Sequence, residues 1–142
     1  MELSAAGSDL SEYHLEAAIA AIHASAPRPE ATDWAAIVTL YDILLTLRPS
    51  PVVALSRAIA VGRKDGPDRG LAEIGAIQGR DRLSAYPFYF ATLGDFDFQR
   101  GSMDEAREHF EAALALARNP AERRFFARRV DECIARAQTS AI

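Results

Sequence analysis

Apolar side chains recur every three to four positions along most of the chain, and the strict alternation that marks a strand is nearly missing. The pattern breaks at prolines, glycines and small polar residues, and those breaks set the helix limits. A first helix is expected over residues 9–25, opened by Asp9 with Glu12 as a capping box and stopped by Pro27 and Pro29. A second is expected over 33–48, from Thr32–Asp33 to the proline at 49. Ser50 as cap and Pro51 in the first turn open a third, over 51–64. The fourth covers 67–79, and GRDRLSAY reads as a connector to a fifth over 87–100. Ser102 with Glu105 opens a sixth over 103–118, and Asn119 with Glu122 a seventh over 120–138. Links this short place successive helices antiparallel, in a bundle or a solenoid.

Spacing favours the solenoid. In FYFATLGDFDFQRGSMDEAREHFEAALALARNP, Phe90, Leu93 and Gly94 share one face of a helix, Gly101 makes the turn, and Ala106, Phe110 and Ala113 share a face of the next. Small residues at Gly94, Ala106 and Ala113 let the helices approach, and Phe110 fills the gap between them. That order resembles a tetratricopeptide repeat, with Asp97 where an aromatic is usual and Pro120 two residues late. Fainter echoes occur at Trp34, Ile37 and Tyr41 with Val38, Leu44 and Leu45, at Val52, Leu55 and Ile59, and at Gly70, Leu71 and Ile74. The expected fold is all-α: antiparallel helix pairs stacked as a tetratricopeptide-like right-handed solenoid of about seven helices, forming one domain over residues 1–142.

Composition narrows the setting. The chain has 142 residues, 49% of them apolar, enough for one domain with a real core. A formal charge of −4 argues against non-specific binding to DNA. Cys133 is the lone cysteine, so no internal disulfide forms, and a reducing compartment is compatible. The opening residues lack the basic and apolar regions of a signal peptide, and no run suits a bilayer. A cytoplasmic protein without a membrane partner is expected.

Candidate chemistry is sparse. In YHLEAAIAAIHA, Leu15, Ile19 and Ile22 form one apolar stripe, flanked by His14 and His23 on opposite borders. Their separation is wrong for a shared metal ion. Ala17, Ala20, Ala21 and Ala24 make a second, small-residue face, which points to packing on two sides. The run YPFYF, Tyr86 to Phe90, reads mainly as core, with an apolar ligand pocket as the alternative. In the last helix Phe126, Val130, Cys133, Ile134 and Ala137 face inward, while Arg124 and Arg128 face outward, Arg128 within reach of Asp131 or Glu132. His109 is expected to be exposed, and Cys133 to be an unreactive core residue. Phosphate loops, nucleophile elbows and Cys/His metal spacings are not found, so neither an enzyme nor a cofactor or metal site is expected.

Three stretches, YHLEAAIAAIHASAP, TDWAAIVTLYDILLTLRPSPVVALSRAIAV and FEAALALARNPAERRFFARR, together resemble the tetratricopeptide-like C-terminal extension of a group of extracytoplasmic-function sigma factors. The likeness runs from about Ser11 to Arg129. It departs at Ser11–Glu12, where the family has Gly-Pro, and at Ser56, where it has Asn. The resemblance implies a regulatory domain that modulates transcription initiation through the sigma factor's own N-terminal domains or core RNA polymerase. Those DNA-binding domains are not found in this chain, since no basic recognition helix precedes Tyr13. This segment is therefore expected not to bind DNA directly. The implied contact residues are Tyr13, His14, Trp34, Tyr41 and Phe90, with Arg124 and Arg128 as a second patch. The alanine face of the first helix is expected to pack on helices upstream of Met1 or on a second copy. A small-molecule-sensing domain with an aromatic pocket near Tyr86–Phe90 is the main alternative, and an enzyme accessory subunit a weaker one.

Overall fold

The computed structural model describes the backbone of residues 2–140 and the side chains of residues 11–28 and 30–139. These residues form seven α-helices and no strand: α1 (Glu2–Ser25), α2 (Trp34–Leu47), α3 (Pro51–Asp65), α4 (Pro67–Gly75), α5 (Pro87–Gln99), α6 (Met103–Ala115) and α7 (Pro120–Ser140). Two short 3₁₀ turns, Pro29–Ala31 and Arg80–Leu83, lie in the longer links. Local chemistry accounts for most of the boundaries. Asp33 Oδ1 accepts the Ala36 N–H at 3.1 Å, and Asn119 Oδ1 accepts the Glu122 N–H at 2.8 Å. Prolines occupy the first turns of α3, α4 and α5, where no N–H is needed. Gly101, at φ +81°, turns the chain from α5 into α6.

Four expectations about helix ends need correction. α1 continues upstream to Glu2, so Asp9 is an interior helical position and not a cap. α4 stops at Gly75, and the chain then tightens into the 3₁₀ turn that buries Leu83. α6 ends at Ala115, three residues before Arg118. Ser102 sits at the N-cap of α6 but its hydroxyl makes no capping hydrogen bond.

Each helix packs chiefly on its sequence neighbours, with the thinnest sequential contact between α4 and α5. Three apolar clusters result. Ile19, Ile37 and Ala60 join α1, α2 and α3. Leu55, Ala58, Ile74, Leu83 and Phe96 join α3, α4 and α5 across the 3₁₀ turn. Ala91, Ala106, Phe110, Ala113, Phe126 and Cys133 join α5, α6 and α7. Val52, expected on the inward face of α3, is instead 48% exposed, because α3 turns Leu55 and Ala58 into the core.

Two glycine notches set the closest approaches. A Cβ on Gly94 would stand 3.0 Å from the Phe110 ring, so the ring lies flat on the α5 backbone. At the other notch α3 and α4 cross at Gly62 and Gly70, and Phe96 of α5 closes over both. A Cβ on Gly62 would come within 2.3 Å of the Phe96 ring and 3.2 Å of the Gly70 Cα. Phe96 and Phe110 are both almost wholly buried.

Candidate interaction surface

A large concavity lies where α1, its link to α2, and the end of α3 meet. Its walls are His23, Ala26, Pro27, Arg28, Glu30, Thr32, Trp34 and Arg63, around a space of about 790 Å³. Pro27 stops α1 and the 3₁₀ turn Pro29–Ala31 carries the chain around the rim to Asp33. Trp34 opens α2 and packs its inner side against the Ile19, Ile37 and Ala60 cluster. The His23 ring meets it edge to face, centroids 5.2 Å apart. Arg63 arrives from the last turn of α3, half exposed, with Asp95 of α5 at 3.8 Å.

At the other end, α7 leaves Arg124, Phe125 and Arg128 in solvent, with Phe125 48% exposed. Phe88 at the start of α5 is 38% exposed and packs its edge on buried Phe126. The Arg118 guanidinium sits 5.5 Å above the Phe88 ring and is tied to Glu122 at 2.7 Å. Hydrogen bonds from Arg118 hold the Glu122 carboxyl below its ordinary range.

The candidate contact residues lie on several helices. Tyr13 and His14 are exposed on α1, and Trp34 is half-buried at the cleft. Tyr41 is half-buried against the first cluster, where burial raises its phenol. Phe90 packs on the α5–α7 cluster beside Val130 and Phe98. Ala17, Ala20, Ala21 and Ala24 are exposed, so the small-residue face of α1 has no partner among the described residues. The repeat positions Gly94, Ala106, Phe110 and Ala113 meet in the α5–α6 interior, with Leu93 on the neighbouring cluster. Much of the aromatic run packs inward, while Phe88 stays partly exposed. Tyr86 and Tyr89 lie on the α3–α5 cluster, and an open depression touches Tyr89 and Phe90.

Two polar arrangements differ from the sequence reading. His109 is not free in solvent: its Nδ1 lies 2.6 Å from Oδ2 of Asp97, which is 5% exposed. The pair crosses the α5–α6 hairpin at the position where the repeat pattern has an aromatic. Arg128 does not take Glu132; Arg129 does, at 2.5 Å, and it also reaches Asp95 at 2.9 Å. Arg129 lies over the Phe98 and Phe110 rings at 4.5 and 4.8 Å, joining α7 to α5 and α6. A signal for both was present. His109 lies three residues beyond Ala106, and Arg129 three beyond Phe126, so each borders an inward face. Cys133 is 1% exposed, and burial raises its thiol, the opposite of an activated nucleophile. Among the described residues no group of histidine, cysteine and carboxylate side chains has metal-binding geometry, and no helix is long and apolar enough to cross a membrane.

No protein-family profile matches the chain, and no solved structure matches it. It is similar to an uncharacterized protein of Rhizobium meliloti (strain 1021), 43% identical over 129 residues. The match takes in 91% of this chain and 30% of that relative, so the chain spans under a third of the relative's length.

Proposed function

We propose that this chain is a tetratricopeptide-like helical domain of an extracytoplasmic-function sigma factor, acting without catalysis by contact with the sigma domains or core RNA polymerase. In this reading the helices form consecutive antiparallel hairpins of a right-handed solenoid. The notch of Gly94 against Phe110, flanked by Ala106 and Ala113, supports that arrangement. The observation that carries the functional reading is the pairing of three ordered sequence motifs with a match to under a third of a longer relative. A helical unit that recurs as one part of a larger polypeptide fits a regulatory attachment better than a free-standing catalyst. Exposed faces on α1 and α7, and the cleft at Trp34, supply surfaces for such contacts.

The test uses the purified chain, purified core RNA polymerase and the two helical sigma regions produced separately. Saturable binding to the sigma regions or to core is expected by sedimentation or interferometry. Deleting the matching segment from the longer relative should then change initiation at its own promoter. Binding to neither component, with initiation unchanged by the deletion, overturns the reading.

A further inference from the structure

We infer that the cleft around Trp34 is a docking site for an acidic, partly apolar peptide segment of a partner protein. Charge is the first argument. The chain as a whole carries −4, yet this cleft is walled by Arg28 and Arg63 against one carboxylate, Glu30. Arg28 makes no ion pair among the described residues, and the Asp95 contact of Arg63 is long, at 3.8 Å. Both guanidiniums therefore keep donors available for a carboxylate, which they grip in a planar fork. A cationic recess on an anionic body selects an anionic partner and steers its approach.

Shape and surface are the second argument. The space is large enough for a few residues of extended chain, and part of its lining is apolar: Ala26, Pro27 and the exposed side of Trp34. An indole fixed from behind by the Ile37 cluster and from the side by His23 is a pre-ordered anchor platform. The two arginines come from different elements, the α1–α2 link and the end of α3, so their spacing is fixed by the fold. The recess suits alternating acidic and apolar residues, carboxylates at the rim and a side chain on the indole. This inference rests on reading the chain as a protein-contacting domain, and it names the chemistry of what is contacted.

Trp34 is the sole tryptophan, so its fluorescence reports on the cleft directly. The probe is a capped, tryptophan-free peptide of alternating Asp, Glu and Leu; a counterpart with Lys in place of each acid is the control. The acidic peptide should give a saturable change in Trp34 emission that weakens as salt is raised, and the basic one none. Arg28→Glu with Arg63→Glu should weaken binding by about tenfold or more, and Arg80→Glu with Arg82→Glu, in the exposed second 3₁₀ turn, should leave it unchanged. Arg28→Gln with Arg63→Gln, checked for its circular-dichroism melt, keeps the test valid if the charge reversal fails to fold. No emission change with the acidic peptide, or an equal response in the Gln pair, overturns the inference. If the sigma regions or polymerase still bind the Arg28→Gln, Arg63→Gln chain at full strength, the functional reading stands and the cleft assignment falls.

Discussion

The two glycine notches look alike in outline and differ in what surrounds them. At Gly94 a single hairpin closes on itself: Phe110 comes from the next helix, sixteen residues on, and its ring can shift slightly along the α5 backbone. At Gly62 three helices converge. The Gly70 backbone stands on one side and Phe96, thirty-four residues on, on the other. A methyl at Gly62 would overlap the Phe96 ring at 2.3 Å with the Gly70 backbone already at 3.2 Å, so the second notch tolerates far less. The lesson is that equal burial does not mean equal tolerance; the number of elements sharing the contact decides.

Removing the rings gives the largest effects. Phe96→Ala and Phe110→Ala should each cost about 3–5 kcal/mol in denaturant unfolding, with Phe96→Ala the greater. Phe96 touches glycines on two helices, and neither has a side chain to refill the hole. An equal or smaller loss at Phe96 breaks the comparison. Filling the notches sharpens it. Gly62→Ala should be destabilising by about 1–3 kcal/mol, because overpacking outweighs the helix propensity gained. Gly94→Ala should fall within about 1 kcal/mol of neutral, its 3.0 Å contact relieved by a small ring shift against the same propensity gain. Melting curves of the two variants side by side decide the matter.

A polar contact in the Gly94 hairpin comes next in size. His109→Ala strips the partner from the Asp97 carboxylate, which is 5% exposed, and should cost about 1–3 kcal/mol. His109→Ala combined with Asp97→Leu should recover part of that loss, a result read from the same unfolding curves. The smallest effect is expected at the start of α7. Glu122 is held ionised by Arg118, so its contribution is present above the ordinary carboxylate range and fades as pH falls through its lowered value. Glu122→Gln should lower the melting temperature slightly at neutral pH, and the gap to the parent chain should close in acid.

How much of this was legible in the sequence follows the range of each interaction. Helix limits set by local chemistry were readable, as at Asp33, Ser50–Pro51 and Asn119–Pro120. The start of α1 was not, because Glu2, Leu3, Ala5 and Ala6 favour helix and neither Gly7 nor Ser8 is a stop strong enough to end it before Asp9. The Gly94–Phe110 contact was visible because a hairpin brings sequence neighbours together. The Gly62–Gly70–Phe96 contact was hidden, since glycines in two helices reveal nothing of a third until the helices are placed. The cleft was missed for a similar reason: its walls are short runs from three elements, none unusual by itself. Tyr13, Trp34, Phe90 and Arg124 could be picked as surface candidates and assigned to separate helices, but the burial of Trp34 and Phe90 against neighbouring helices could not.

The thin seam between α4 and α5 carries a mechanical consequence. Pull on the two ends of this molecule, and the joint bearing the strain centres on one phenyl ring seated over two bare helix backbones, with Leu83 and Ile74 beside it and arginine–aspartate ties from Arg63 to Asp95 and from Arg100 to Asp68. Whatever bends the front four helices against the rear three must first unseat that ring.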